Sequence, residues 1–151
     1  MLNAVNFPFA DAQAVNMIQA KLEDGSVGDV TGVDAQLHFS KWPRGWQEGA
    51  SWLSLCKQGG FVREVGSHYV FLIEKLFGPA ALVDASVRYP ADNTLCETHF
   101  LARLDCNGTP ISFAGGADGV GPDTVEFTVW GSKTSYRLWD WTKLKSRVRT
   151  Y

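Results

Sequence analysis

The dipeptide Asn107-Gly108 separates two segments that have the alternating pattern of β-strands, and it constrains the fold more than any other local feature. Asn-Gly favours the two-residue turn of a β-hairpin, because both turn positions need a positive φ. In the segment before the turn, residues 97–106, the apolar side consists of Phe100, Ala102, Leu104 and Cys106. We therefore expect residues 110–114 to return antiparallel to residues 97–106.

The remaining periodicities predict the other elements. Alternation predicts further strands, at residues 30–39, 81–89, 123–130 and 134–141. Apolar residues at helical spacing predict two helices, one at residues 11–24 and one that ends at Gly78-Pro79. The pattern indicates an α+β fold, with an open, mostly antiparallel β-sheet of about six sequential strands and two helices packed on one face.

The composition excludes several classes of partner. The chain has 151 residues, enough for one domain, a formal charge of −2, and only a short basic tail of Lys143, Lys145, Arg147 and Arg149. We therefore expect neither nucleic-acid nor membrane binding. The cysteines, Cys56, Cys96 and Cys106, lack metal-ligand spacing, so we expect no metal site and reduced thiols in a cytoplasmic protein.

Glu64 and His68 form the candidate proton-transfer site of the sequence. They lie four positions apart near the start of the second predicted helix, so their side chains share one helix face, and Gly59-Gly60 precedes them. A carboxylate beside an imidazole suits general acid–base catalysis. The alternative is that His68 only forms a hydrogen bond in or near the core, since one such pair is weak evidence.

Residues 40–60 form an irregular segment that leads into this helix, and irregular segments of this length are often functional. The segment contains Trp42, Arg44 and Trp46. Elsewhere, the glycine-rich run 115–121 lies between predicted strands, and no Gly-x-Gly-x-x-Gly turn or Walker-type loop occurs in the sequence. We therefore expect no cofactor site in this chain alone.

The order of these features resembles the carboxyl-terminal domain of the glucose–fructose oxidoreductase/inositol dehydrogenase (Gfo/Idh/MocA) family. The resemblance extends over residues 5–141, and its sharpest part is residues 59–68, where the family has Gly-Gly, then Asp, three residues and His. The sequences Leu-Phe-Gly-Pro at residues 76–79 and Glu-Phe-Thr-Val-Trp-Gly-Ser-Lys at residues 126–133 are also similar.

The resemblance implies roles for individual residues. His68 matches the family's catalytic histidine and is the expected general acid/base, with Glu64 as its orienting partner. Glu64 stands where the family usually has Asp, and Phe71 where it often has a further Asp. Trp42, Arg44 and Trp46 are candidate substrate-pocket residues, and replacing Trp46 by Ala in the full enzyme is expected to raise KM.

The resemblance also implies the setting of this chain. Family members join a Rossmann domain, which binds NAD or NADP, to an open-sheet domain that shapes the substrate pocket. Residues 1–151 are therefore expected to be the C-terminal substrate-binding and oligomerisation domain, without the Rossmann domain and inactive as a dehydrogenase alone. The expected substrate is a sugar, cyclitol or related polyol, and NAD or NADP is the expected cofactor of the intact parent.

The sheet is the expected oligomer interface. In the family its outer face commonly pairs with a second subunit, and large residues are expected on both of its faces here, namely Phe127, Trp130, Trp139 and Trp141. A face that two helices cannot cover needs another partner, so we expect a homodimer.

Two other functions stay open. One is a stand-alone, non-enzymatic α+β module that holds a small apolar or sugar ligand on its sheet and tryptophan-containing loop. The other is a catalytically inert family member retained for assembly, which Phe71 in place of the family's Asp favours.

Overall fold

The computed structural model describes residues 6–148 and contains two α-helices and one seven-stranded β-sheet. The helices are α1 (Gln13–Glu23) and α2 (Ser67–Phe77). The strands are β1 (Val30–Phe39), β2 (Ala81–Arg88), β3 (His99–Cys106), β4 (Thr109–Ala117), β5 (Thr124–Gly131), β6 (Thr134–Trp139) and β7 (Lys143–Val148). The predicted α+β class is confirmed, with one strand more than expected.

The strands lie in the order β2-β3-β4-β1-β5-β6-β7. Strand β1 is parallel to β4, and every other pair is antiparallel, as predicted. The strand order follows the chain order except at β1, which lies between β4 and β5. In that central position β1 forms backbone hydrogen bonds along both of its edges, with β4 and with β5. Its apolar side faces the core.

The predicted hairpin is confirmed. Cys106 pairs with Thr109 across the turn, and both Asn107 and Gly108 have positive φ, 54° and 89°. This is the backbone conformation that a tight two-residue turn requires. Register is therefore fixed at one end of the β3–β4 pair.

The hydrophobic core lies between one sheet face and the two helices. The four alternate residues of β1 that face it are all buried: Val33, Ala35, Leu37 and Phe39. Helix α1 contributes Val15 and Ile18, and helix α2 contributes Tyr69, Leu72 and Ile73. Helix α2 ends at Gly78, whose φ of 87° suits a residue without a side chain.

Strand β7 contains three of the four residues of the predicted basic tail, Lys143, Lys145 and Arg147, so this segment is a strand and not a tail. It pairs antiparallel with β6: Trp139 lies opposite Lys143 at one end of the pair, and Thr134 lies opposite Val148 at the other. Charged side chains on an edge strand discourage pairing with further chains, so a strand so rich in lysine and arginine is suited to the sheet edge. Neither helix within residues 6–148 has the length and apolar character needed to cross a membrane.

Candidate functional site

Two consecutive glycines shape the chain before α2. A Cβ atom on Gly59 would lie 2.3 Å from the carbonyl oxygen of Trp52. Gly60 has a φ of 96°, and a Cβ there would lie 2.4 Å from a carboxylate oxygen of Glu97. The backbone therefore passes through a space that only glycine fits.

Glu97 explains why the chain is held so tightly there. Its side chain is buried, and its carboxylate accepts a hydrogen bond from the backbone N–H of Val62 at 2.7 Å. Residues Val62–Gly66 form a π-helical turn that runs directly into α2. A carboxylate on the free N–H groups at a helix start satisfies those donors and interacts favourably with the helix dipole.

Glu64 lies in the π-helical turn and binds residues of the preceding loop. Its carboxylate accepts hydrogen bonds from Arg44 Nη2 at 3.1 Å and from Gln47 Nε2 at 3.0 Å. The hydrogen bonds of a π turn run from i to i+5, so side chains four positions apart are not stacked as in an α-helix. The hydrogen-bond partners of Glu64 are therefore Arg44 and Gln47, and no hydrogen bond joins Glu64 to His68.

His68 lies in an aromatic environment on the first turn of α2. Its ring meets the edge of Phe7 at a centroid distance of 5.3 Å and that of Trp141 at 6.0 Å. Phe7 in turn stacks on Phe71 at 4.7 Å with nearly parallel rings. Among residues 6–148, the buried atom His68 Nδ1 has no hydrogen-bond partner.

The charge state of His68 follows from these surroundings. Burial lowers the pKa of His68 below its usual value, because a charged imidazolium loses hydration among aromatic rings. The Glu64 carboxylate opposes this effect and the Arg44 guanidinium adds to it. His68 is therefore a neutral imidazole at pH 7, and only a neutral ring can accept a proton.

The three predicted pocket residues of the loop have different environments. Trp42 is only 9% exposed, and its indole N–H donates to the carbonyl oxygen of Leu53 at 3.0 Å, so it packs inside the loop. The expectation that Trp42 forms a pocket wall is corrected on this ground. Arg44 is mostly buried between Glu64 and the ring of Trp46. The guanidinium carbon of Arg44 lies 4.7 Å from the centroid of that ring. Trp46 itself is 76% exposed.

The sequence analysis missed several residues of this region. They are Phe7, Gln47, Trp52, Glu97 and Trp141. Each lies outside the helical motif, and no local periodicity links it to His68 or Glu64. For Phe7, Trp52 and Trp141 the sequence signal is the high aromatic content, which does not say which rings meet, and nothing in the sequence singles out Gln47 or Glu97.

Neither a metal site nor a dinucleotide site forms from the candidate residues that the structure describes. Within residues 6–148 no group of three or more metal-ligating side chains comes together. The glycines at positions 115 and 116 lie inside β4, and the chain continues into β5 without a helix. A dinucleotide pyrophosphate needs a strand–turn–helix unit, so this run does not fit NAD or NADP.

Comparison with known proteins places this geometry in context. A family model described as the GFO/IDH/MocA C-terminal domain matches residues 15–137. No curated protein sequence matches the chain. The solved structures below share its fold, and the chain spans less than half of their length.

Levoglucosan dehydrogenase in complex with NADH matches with a TM-score of 0.77 at 16% identity, over 98% of this chain and 43% of that one. The WlbA dehydrogenase from Bordetella pertussis, in complex with NADH and UDP-GlcNAcA, matches with a TM-score of 0.68 at 22% identity, over 86% and 40%. A 3-ketoreductase from Actinomadura kijaniata, in complex with NADP, matches with a TM-score of 0.73 at 13% identity, over 97% of this chain and 44% of that one.

Proposed function

This chain belongs to the GFO/IDH/MocA family as its C-terminal domain, and on that basis we propose that it is the substrate-binding part of an NAD(P)-dependent oxidoreductase. The substrate class is a sugar, cyclitol or related polyol, as expected from the resemblance. Three solved relatives of the same fold are a levoglucosan dehydrogenase, a dehydrogenase bound to UDP-GlcNAcA and a 3-ketoreductase. Because the glycine-rich run 115–121 does not form a dinucleotide-binding turn, NAD or NADP would be held by another domain of the parent.

His68 is the proposed general acid/base. The observation that carries this proposal is its buried Nδ1, which has no hydrogen-bond partner within the described part of the chain and lies in an apolar aromatic environment. Leaving such an atom without a partner costs about 1–3 kcal/mol, and a cost of this kind is typical of functional sites. Because Nδ1 is enclosed, a substrate hydroxyl can reach only Nε2, which would accept the hydroxyl proton during oxidation and return it during reduction.

Glu64 acts in this proposal as a positioning residue. It does not touch His68 through a hydrogen bond, but its carboxylate raises the pKa of His68 against the effect of burial. Through Arg44 and Gln47 it also holds the loop against the start of α2. Its loss would therefore change the pH profile of the reaction as well as loop order.

The test of the acid/base role uses the intact enzyme that contains this chain. His68→Asn and His68→Phe should each lower kcat by about 10²- to 10⁴-fold with a smaller change in KM, and should remove the fall in the oxidation rate at acid pH that protonation of the imidazole causes. Thermal unfolding of both variants separates this effect from misfolding. Unchanged kcat in a folded His68→Asn enzyme would overturn the proposal and favour a catalytically inert family member.

The second part of the proposal is a homodimer through the outer face of the sheet. Leu101 and Trp130 lie on this face, half exposed, and the Trp130 indole donates to Asp34 at 2.7 Å. Phe127, by contrast, is fully buried on the helix side. Seven strands about 4.8 Å apart and about 20–30 Å long give a face of roughly 800 Å², which is what each partner buries in a standard interface.

A further inference from the structure

An open cleft lies between two exposed indoles of the loop that precedes α2. Both Trp46 and Trp52 line it, together with Gln47, Leu53 and Glu64. Its volume is about 440 Å³, enough for one sugar ring with room for water. Trp46 is 76% exposed and Trp52 is 52% exposed. Burial of either indole would be favourable in free energy, because it removes apolar surface from water.

The Trp46 ring is held in place. The Arg44 guanidinium lies over its face at 4.7 Å, and that guanidinium is fixed in turn by the Glu64 carboxylate. Backbone hydrogen bonds on both sides of the cleft, from Ala50 N–H to the Gln47 carbonyl and from Leu53 N–H to the Ala50 carbonyl, also order the loop. A site ordered in this way loses little conformational entropy when a ligand binds.

The chemistry of the cleft matches an uncharged saccharide ring. Flat indole faces suit the apolar C–H face of a pyranose, and the partly exposed Glu64 carboxylate can accept a hydrogen bond from a sugar hydroxyl. Two cations of this loop are paired with carboxylates, Lys41 with Glu48 at 2.8 Å and Arg44 with Glu64 at 3.1 Å. A phosphate-bearing ligand would need a cation that is free to bind it.

We propose that the cleft between Trp46 and Trp52 is a subsite for an uncharged sugar ring, distinct from the place where His68 acts. Glu64 lines the cleft and lies one turn before His68 on the same continuous helical segment. A substrate with two linked rings could thus place one ring on the indoles and a reacting hydroxyl at His68. This extension to a glycoside or disaccharide substrate rests on the proposed function, whereas sugar binding in the cleft does not.

The test measures binding to the 151-residue chain and needs no turnover. The probes are methyl β-glucoside, cellobiose and maltose, followed by titration calorimetry and by the indole N–H signals of the tryptophans in NMR spectra. We expect saturable binding that shifts the Trp46 and Trp52 signals, and Trp46→Ala and Trp52→Ala should each weaken it about tenfold. Val120→Ala, which changes a fully exposed apolar residue in the loop after β4, is the control and should bind as the wild type does.

Several results would overturn this inference. These are the absence of saturable binding by all three sugars, and binding that is unchanged in both Trp46→Ala and Trp52→Ala. A third is protection of both indoles from acrylamide quenching in the sugar-free intact enzyme, which would identify the cleft as a contact between domains. Loss of the catalytic role of His68 would leave sugar binding in the cleft intact, so the two proposals fail separately.

Discussion

The Arg44 guanidinium lies 3.1 Å from the Glu64 carboxylate and joins the irregular loop to the start of α2. The two side chains are only 15% and 28% exposed, so water weakens their attraction little. Gln47 donates a second hydrogen bond to the same carboxylate and accepts one from Arg44 Nε at 2.9 Å. This closed set of contacts fixes the loop that carries Trp46 beside the helix that carries His68.

A double-mutant cycle measures the contribution of this pair. With Arg44→Met and Glu64→Gln, we expect a coupling free energy of about 1–3 kcal/mol in urea unfolding, because each single change leaves a mostly buried charge or donor without its partner. The control is the exposed pair Lys41–Glu48, with 66% and 63% exposure, for which about 0–1 kcal/mol is expected. Equal coupling in the two cycles would contradict the anchoring role.

Gly59, the first of the two glycines before α2, should not tolerate a side chain. Gly59→Ala places Cβ against the Trp52 and Leu53 carbonyl oxygens, at 2.3 and 2.4 Å, so backbone must move and we expect a loss of about 1–3 kcal/mol or more in unfolding free energy. Gly45→Ala, in the same loop, meets no atom within 4 Å and should change stability by less than about 0.5 kcal/mol. Similar urea midpoints for the two variants would show that the close passage of the chain is wrong.

His68 should make stability depend on pH in the acidic range. Burial lowers its pKa in the folded state, so the unfolded chain binds the proton more tightly. The free energy of unfolding should therefore fall as pH drops below about 6.5, the usual pKa of histidine, and stop falling below the folded-state pKa. Above about pH 6.5 the effect should be absent.

The measurement is the urea midpoint at about pH 7.5 and pH 5, on either side of the usual pKa of histidine. His68→Gln should reduce the loss of stability on acidification, whereas His99→Gln, which removes an exposed imidazole and retains His68, should preserve it. If His68→Gln shows the same acid destabilisation as the wild type, another group is responsible.

The proposed dimer can be broken by a charge on the outer sheet face. Leu101→Glu and Trp130→Glu should each convert a dimer into a monomer in sedimentation velocity experiments at micromolar concentration, because a buried unpaired carboxylate is costly. Val120→Glu is the control, since Val120 is fully exposed in the loop after β4 and should leave the dimer intact. A monomeric wild type would contradict the interface.

The sequence alone determined the local elements where a short-range rule applies. The alternation in β1 identified its buried side, Asn107-Gly108 identified a hairpin, and Gly78 identified the end of α2. These features depend on φ preferences and on periodicity within one element, which neighbouring residues suffice to express. The family resemblance at residues 59–68 likewise rests on contiguous residues.

Only the tertiary structure decided which elements and side chains meet. Strand β1 inserts between β4 and β5, Glu64 binds Arg44 rather than His68, and His68 lies between Phe7 and Trp141 near the two ends of the chain. Such partners are selected by simultaneous burial of apolar surface and satisfaction of polar groups over the whole fold. No local pattern encodes that selection, because many rings and charges are equivalent in sequence until packing brings particular ones together.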